Sequence, residues 1–295
     1  FEEYLWAIQD EITGPAIRDA FARRKPLGDK IHRVIMKKFR TYMAVGGMPQ
    51  AVEALVEGKD FAQIDFIKRN ILDLYEEDLA KYDQQNHDKA SVVFRTIPEQ
   101  LENKNSHFKL SLLGKNARYR NYAEAVSFIA DSMIGNECIN VTKPEPALEL
   151  FADRSNFKLY MGDTGLLVTQ IMRSDAETGD ALYKALITGR LGINDGMVME
   201  NMVAQMLTAN GKNLFYHTIP YAEGKKYYEV DFIITDKHKI SPIEVKSSGY
   251  KAHKSLDQFC AKYSERIMNR YLIYTKDYKR ENGVEYIPIY MAMFL

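Results

Sequence analysis

Through the first half of the chain, apolar residues recur three and four positions apart, the period of one face of an α-helix. Phe1, Leu5 and Ile8 share such a face, with Tyr4 and Trp6 beside them. Gly14-Pro15 should end this helix, and a second follows through Phe21. Ile31, Ile35 and Phe39 mark a third, for which Asp29 is the expected cap. Gly46-Gly47-Met48-Pro49 interrupts the pattern ahead of a fourth helix, QAVEALVEG. A long helix is expected over 61–81, with Phe66, Ile67, Leu74 and Tyr75 on its apolar side. Its polar end, LYEEDLAKYDQQNHD, reads as a hinge. Val92, Val93, Phe94, Ile97 and Leu101 predict another helix over 89–103, which Pro98 should kink or break. Asn121 and Glu124 then stand at capping-box spacing before Ala125, Phe128, Ile129 and Met133.

The periodicity shifts towards strands after this point. CINVTK (138–143) reads as a short strand, with 148–151 as its partner. Helix, helix, hairpin is the layout of a winged helix, a common DNA reader. Residues 157–172 read as a strand, a Gly162-Asp163 turn and a short helix, with Asp163 as a turn or cap residue. Residues 181–193 read as a linker or short helix, and a helix from Asn194 carries Val198, Met202, Val203 and Met206 inward. Strands are expected over 213–219, twice within 227–248, and over 270–275 and 285–289, with a helix at 255–266. The expected class is α+β or α/β. A helical lid-like segment (1–60) precedes a helical, winged-helix-like unit (61–155) and a mixed-sheet domain (156–295).

Composition narrows this picture. A chain of 295 residues suggests about two domains, and 46% hydrophobic residues can fill sizeable cores. Forty basic residues balance forty acidic ones, so any nucleic-acid surface must be a local patch. One such patch surrounds the second helix of the winged-helix-like unit: Lys104, Lys109, Lys115, Arg118 and Arg120, interleaved with Tyr119 and Tyr122. Glu124 and Asp131 dilute it, and the unit also fits a protein-docking module or a plain connector. Arg33, Lys37, Lys38 and Arg40 read as a solvated helix face. Two cysteines far apart favour a reducing, cytoplasmic setting over a disulfide framework. No apolar run reaches the roughly 18 residues of a membrane span, and no signal peptide is recognised. The chain opens at Phe1 inside an amphipathic pattern, which reads as a fragment. Its six histidines lack zinc-ligand spacing, and no G-x-S-x-G element occurs.

The chemistry gathers in YYEVDFIITDKHKISPIEVKSS, residues 227–248. It reads as two strands joined by a polar turn that includes His238. Side chains alternate along a strand, so Glu244 and Lys246 share one face. Asp231 and Glu244 supply hard oxygen donors suited to Mg²⁺ or Mn²⁺. Lys246 places a positive charge beside such an ion, where it could orient a water or face a phosphoryl oxygen. The same Glu244–Lys246 pair also fits the solvated surface of an ordinary hairpin.

Val230-Asp231 followed by Glu244-Val245-Lys246 resembles the PD-(D/E)xK nuclease superfamily, with its restriction-endonuclease-like fold. Valine replaces the usual proline. The resemblance implies a further acid on the preceding helix, and Glu200 in GMVMENMVAQML stands there. It thus implies catalytic roles for Asp231, Glu200, Glu244 and Lys246, with the three acids as metal ligands. A related nuclease branch carries Gln-x-x-x-Tyr on a later helix. Gln258 and Tyr263 are spaced one residue wider, and Gln258 is the phosphate-contact candidate. Lys251, His253 and Lys254 border the same region.

FEEYLWA and YMAVGGMP, in this order ahead of VD…EVK, resemble a family of bacterial and archaeal AAA-type ATPases. In that family such stretches follow the ATPase core, and a winged helix and a nuclease-like C-terminal domain come after them. The implied partners are DNA and the protein's own ATPase core, with oligomers allowed. No GxxxxGK[ST] loop occurs, so ATP would bind only in a core missing from this chain, and no ATPase activity is expected here.

Overall fold

The computed structural model describes residues 1–83, 88–102, 107–115, 117–173, 179–189, 195–221 and 227–295. Among them, eight strands form one mixed sheet. They are β1 (Gly135–Val141), β2 (Ala152–Met161), β3 (Leu214–Pro220), β4 (Tyr227–Asp236), β5 (Lys239–Lys246), β6 (Tyr271–Tyr274), β7 (Lys279–Glu281) and β8 (Val284–Pro288). Their spatial order is β2-β1-β3-β4-β5-β6-β8-β7. The β1–β3, β5–β6 and β6–β8 pairs are parallel and the others antiparallel.

Eleven α-helices surround this sheet among the described residues. α1 (Glu2–Ala7), α2 (Thr13–Arg23), α3 (Asp29–Val45) and α4 (Pro49–Val56) come first, then α5 (Phe61–Asp83), α6 (Lys89–Glu102) and α7 (Tyr119–Asp131). α8 (Thr164–Ile171), α9 (Gly179–Thr188), α10 (Asp195–Ala209) and α11 (Lys254–Lys262) follow. Strand alternation sends successive residues to opposite faces. Tyr271 and Ile273 of β6 join the core of α10 and the N-terminal helices, whereas Leu272 and Tyr274 join Leu256 and Phe259 of α11. A third core packs α5, α6, α7 and α8 against Phe157, Leu159 and Met161 of β2.

Several local expectations are corrected. Gly14 and Pro15 do not end a helix; both lie in the first turn of α2, where a missing N–H costs nothing. α5 buries Ile64, Lys68, Ile71, Leu72 and Leu79, while Phe66 and Leu74 face solvent. A buried lysine breaks the apolar stripe, and the pattern therefore points to the wrong face. α6 runs through Pro98 without a break. Proline leaves the carbonyl of Phe94 without its helical donor, and the Gln170 side-chain amide donates to it instead at 3.2 Å. α7 starts at Tyr119 after Arg118, so Asn121 lies inside the helix and does not cap it.

The expected wing is corrected as well. Leu148–Phe151 is a 3-10 turn, and β1 pairs with β2 instead. The far edge of β1 is not free: Cys138 to Asn140 pair in parallel with Leu214 to Tyr216 of β3. Helix, helix and hairpin follow one another as expected, but the hairpin continues into the main sheet. That sheet takes strands from both sides of residue 155. The hinge expected over 74–88 is corrected in its first part, since α5 continues helical to Asp83; residues 84–87 of it, and the helix start at Asn194, lie outside the described residues.

Two histidines are built into the core. His32 Nδ1 is 2.8 Å from the Tyr290 hydroxyl and Nε2 is 3.1 Å from the Thr275 carbonyl. His217 Nδ1 is 2.6 Å from the Val141 carbonyl, and Nε2 is 3.0 Å from the Tyr263 hydroxyl. A carbonyl only accepts, so in each ring one nitrogen donates to it and the other accepts from a tyrosine. That is the bonding of a neutral imidazole. Burial lowers both histidines from their ordinary value. The unfolded chain therefore takes up protons first. The stability these residues confer is complete above about pH 6.5 and declines as pH falls below it. Denaturant midpoints at pH 7.5 and 5.5 are expected to differ less in His32→Gln/His217→Gln than in the wild type. Equal pH dependence in the two proteins would refute this.

Candidate functional site

The site lies where two neighbouring strands part. β4 and β5 pair from Asp236–Lys239 only as far as Phe232–Ile243. β5 then continues in register with β6 to Lys246–Tyr274, so Asp231 and Glu244 stand at the mouth of a fork. On the other flank, Phe215 of β3 pairs with Ile233 and His217 with Val230. One residue of β3, Tyr216, thus opposes two of β4, Asp231 and Phe232. This is a β-bulge, which bends a strand and re-aims a side chain. The packing records the slip: Val230 and Ile233 both join the α11 core, whereas Phe232 and Ile234 join the α10 core. Asp231 Oδ2 accepts a hydrogen bond from the Val245 amide at 2.7 Å and ties the open ends of the fork together.

Around the fork, four carboxylates meet two lysines. Lys246 Nζ lies 2.6 Å from Glu244 Oε1. Glu244 is 3% exposed, and its Oε2 is buried without a hydrogen-bond partner among the described residues. Lys158, on β2, lies 3.1 Å from Glu200 and 2.6 Å from Glu229. The Tyr160 hydroxyl donates to the same Glu200 oxygen as Lys158. Burial, then the charges of Glu244 and Glu200, push the Asp231 carboxyl well above the usual carboxylate range. Burial also raises Glu244, against the pull of Lys246. Burial opposes ionisation of Glu200, but Lys158 and Tyr160 outweigh it and hold this acid below its ordinary value. The result is two sub-clusters, Glu200 and Glu229 around Lys158, and Asp231 and Glu244 beside Lys246 at the fork.

Most of these groups, though not Glu244 or Tyr160, line a cleft of about 360 Å³. Asp231, Glu200, Glu229, Lys158 and Lys246 contribute its charged side. Gln100 and Leu101 of α6, with His107 and Phe108 beyond it, form another wall, and Gly196 and Met197 of α10 close a third side. Gln100 holds the following segment through two hydrogen bonds to the Lys109 backbone. Lys109, Lys115, Arg118 and Arg120 are exposed near the start of α7 and outside the cleft lining. Lys104 lies outside the described residues. The structure does not bring Gln258 to the cleft: it is exposed on α11, which packs on the other sheet face. Tyr263 is engaged by His217, and His253 by Asp257 and Tyr286. Lys251 and Lys254 are exposed.

The donor set bears on Mg²⁺ or Mn²⁺ in two ways. Among the described residues, no three His, Cys, Asp or Glu side chains converge as a ligand group. Glu200 is turned to Lys158 and Tyr160, away from a three-acid set. The fork itself nevertheless has the chemistry of a hard-cation site. It holds two carboxylates on rigid strands, one with an orphaned buried oxygen and one whose charge its neighbours oppose.

Two family models match this chain. Residues 36–177 match Domain of unknown function (DUF8612), and residues 195–292 match Domain of unknown function (DUF4143). Domains of the second kind are often found in the C-terminal region of AAA-ATPase-like proteins. No curated protein and no solved structure matched. The two regions meet at the fork. Glu200, Glu229, Asp231, Glu244 and Lys246 belong to the second, whereas Lys158 and Tyr160 belong to the first.

Sequence reasoning missed Lys158, Tyr160 and Glu229. In Phe157-Lys158-Leu159-Tyr160-Met161 a lysine alternates with apolar residues, which ordinarily marks a solvent-facing position. The available signal was Tyr160 beside it: two polar-tipped side chains on one face of a strand whose other face is apolar. Glu229, two residues before Asp231, shared the fork's strand and was equally accessible to the same reasoning.

Proposed function

We propose that this chain is the C-terminal part of an AAA-type ATPase family protein and carries a metal-dependent phosphodiesterase site acting on DNA. The observation that supports it most is the orphaned Glu244 Oε2 beside Asp231 at the strand fork, with Lys246 at hydrogen-bond distance. A buried carboxylate oxygen without a donor is costly unless something positive meets it. Asp231, Glu244 and the Val245 carbonyl would hold the cation. A divalent cation there supplies a water of lowered pKa and polarises a phosphoryl oxygen. Lys246 lines the cleft and, held by Glu244, is placed to orient the attacking water or face a phosphoryl oxygen. Gln100, Leu101, His107 and Phe108 form the facing wall of the cleft.

In this reading α6 and α7 present the DNA-facing surface, while the β1–β2 hairpin stays bound into the main sheet. Exposed Lys115, Arg118 and Arg120 make phosphate contacts, and the N-terminal helices meet the ATPase core. The proposed setting is cytoplasmic. Among the described residues no helix is long and apolar enough to cross a membrane.

The test is cleavage of plasmid and oligonucleotide DNA with Mg²⁺ or Mn²⁺ by the wild type and by Lys246→Ala. Loss of this charge is expected to slow cleavage by about 10²–10³-fold. Wild-type protein that cuts no DNA with either ion would sink the proposal.

One observation favours a second reading, a non-catalytic module that targets the ATPase. Lys158 already neutralises part of the acid cluster from within, as in a scaffold that needs no ion. Such a module binds DNA or a protein partner with its acids free of metal. Gel shifts that weaken steeply with salt would mark a DNA module.

A further inference from the structure

The acid cluster contains its own cation, and this decides how much metal it can take. Lys158 is 7% exposed and sits on β2, far along the chain from the fork. Its ammonium lies 3.1 Å from Glu200, 2.6 Å from Glu229 and 5.3 Å from the centre of the Tyr216 ring. Three N–H donors thus face two carboxylates and one π-face, and a lysine has no fourth. Glu200 Oε1 is doubly engaged, by Lys158 and by the Tyr160 hydroxyl. Glu244 Oε1 is engaged by Lys246, but Oε2 is orphaned. Among the described residues, the Asp231 side chain accepts from the Val245 amide alone.

We infer that Lys158 is the resident counter-ion of Glu200 and Glu229, so the fork takes one divalent cation and not two, with Glu200 outside its ligand shell. This rests on the metal-site reading above and goes further, since it fixes stoichiometry and assigns a role to a residue of the other matched region. The pairing is satisfied on one side only: Lys158 meets both Glu200 and Glu229, while Glu244 Oε2 has no hydrogen-bond partner among the described residues. A second ion beside Glu200 and Glu229 would meet the Lys158 ammonium at close range, and like charges in a buried cleft repel strongly. Lys158 is a positioning residue: it holds two acids in place.

The experiment is calorimetric titration of Mn²⁺ into the full chain, with electron paramagnetic resonance to detect coupling between paired ions. The wild type is expected to bind one Mn²⁺ and Asp231→Ala none. Lys158→Met keeps the length of the side chain and removes its charge, freeing Glu200 and Glu229. It is expected to bind two ions, with spin coupling between them, while Lys158→Arg returns to one. Two ions in the wild type, or one in a folded Lys158→Met, would overturn the inference.

Should Lys158→Met not fold, Glu200→Gln carries the test. An outer-shell acid tunes affinity without supplying a bond, so this variant is expected to keep one Mn²⁺ with about tenfold weaker binding. Complete loss of binding would make Glu200 a ligand and overturn the inference. Absence of binding in the wild type is a different failure, since it removes the metal site itself.

Discussion

Under the proposed function, replacing Asp231 with asparagine is expected to reduce metal-dependent DNA cleavage by about 10³-fold and, in the same protein without metal, to raise the denaturation midpoint. Both effects come from one carboxylate. Asparagine keeps an oxygen to accept the Val245 amide, now 2.7 Å from Oδ2, so the fork stays tied. It lacks the charge that would hold a cation. The stability gain follows from crowding: Asp231 is pushed well above the usual range by burial and then by Glu244 and Glu200. A group whose pKa is raised on folding contributes stability only at low pH and loses that contribution as pH rises. The advantage of the variant is therefore expected to be greater at pH 8 than at pH 5. Denaturant titrations in chelator at both pH values, beside cleavage assays, measure the pair. A variant that is inactive but no more stable at pH 8 would argue that Asp231 is comfortably solvated in the folded protein.

The second large effect is expected at Gly165, far from the fork. Gly165 lies in the first turn of α8 and packs directly on the Gly46-Gly47 break after α3. A methyl group there would lie 2.5 Å from the Gly46 Cα, the Gly46 nitrogen and the Val45 carbonyl oxygen. All three are backbone atoms and cannot rotate away. Neighbouring bonds tighten the joint. Asp163 caps α8 through the Leu166 amide at 2.9 Å and also accepts from the Gly47 amide at 2.7 Å. The buried Lys68 ammonium donates to the Ala44 and Gly165 carbonyls. Burial pulls Lys68 down to about 7. Gly165→Ala is expected to cost about 3 kcal/mol, the upper range for overpacking, because backbone must move on both sides. Gly211→Ala is the control, with φ +74° and nothing within 4 Å of the added carbon. It is expected to cost about 1 kcal/mol, the strain of a left-handed backbone. Equal costs at the two positions would mean that the helices slide apart freely.

How far the sequence reveals this molecule differs from part to part. Asp231, Glu244 and Lys246 were legible because a short polar turn between two apolar strands fixes their neighbourhood within about twenty residues. The β4 bulge was not, since an added residue in one strand leaves no mark in an alternating pattern until its partner is known. The β1–β2 hairpin was partly legible: local pairing showed in CINVTK, but nothing local says that β1 has a second neighbour in β3. Glu200 was reached only through the resemblance, and its bond to Lys158 spans 42 positions of chain. The α5 face was misjudged because Lys68 occupies a core position, where burial of an ammonium is offset by two carbonyls and the Tyr183 ring.

The parallel pairing of β1 with β3 has a consequence for inheritance. It carries Lys158 of one matched region onto Glu200 and Glu229 of the other, so the two regions are not interchangeable cassettes. A chimaera of two relatives spliced between residues 177 and 195 would take its acids from one parent and their counter-ion from the other. Wherever the donor of the first region lacks this lysine, the hybrid buries two uncompensated negative charges. Drift at position 158 is then tolerable only alongside compensating loss at 200 or 229. The two halves of this chain must change together.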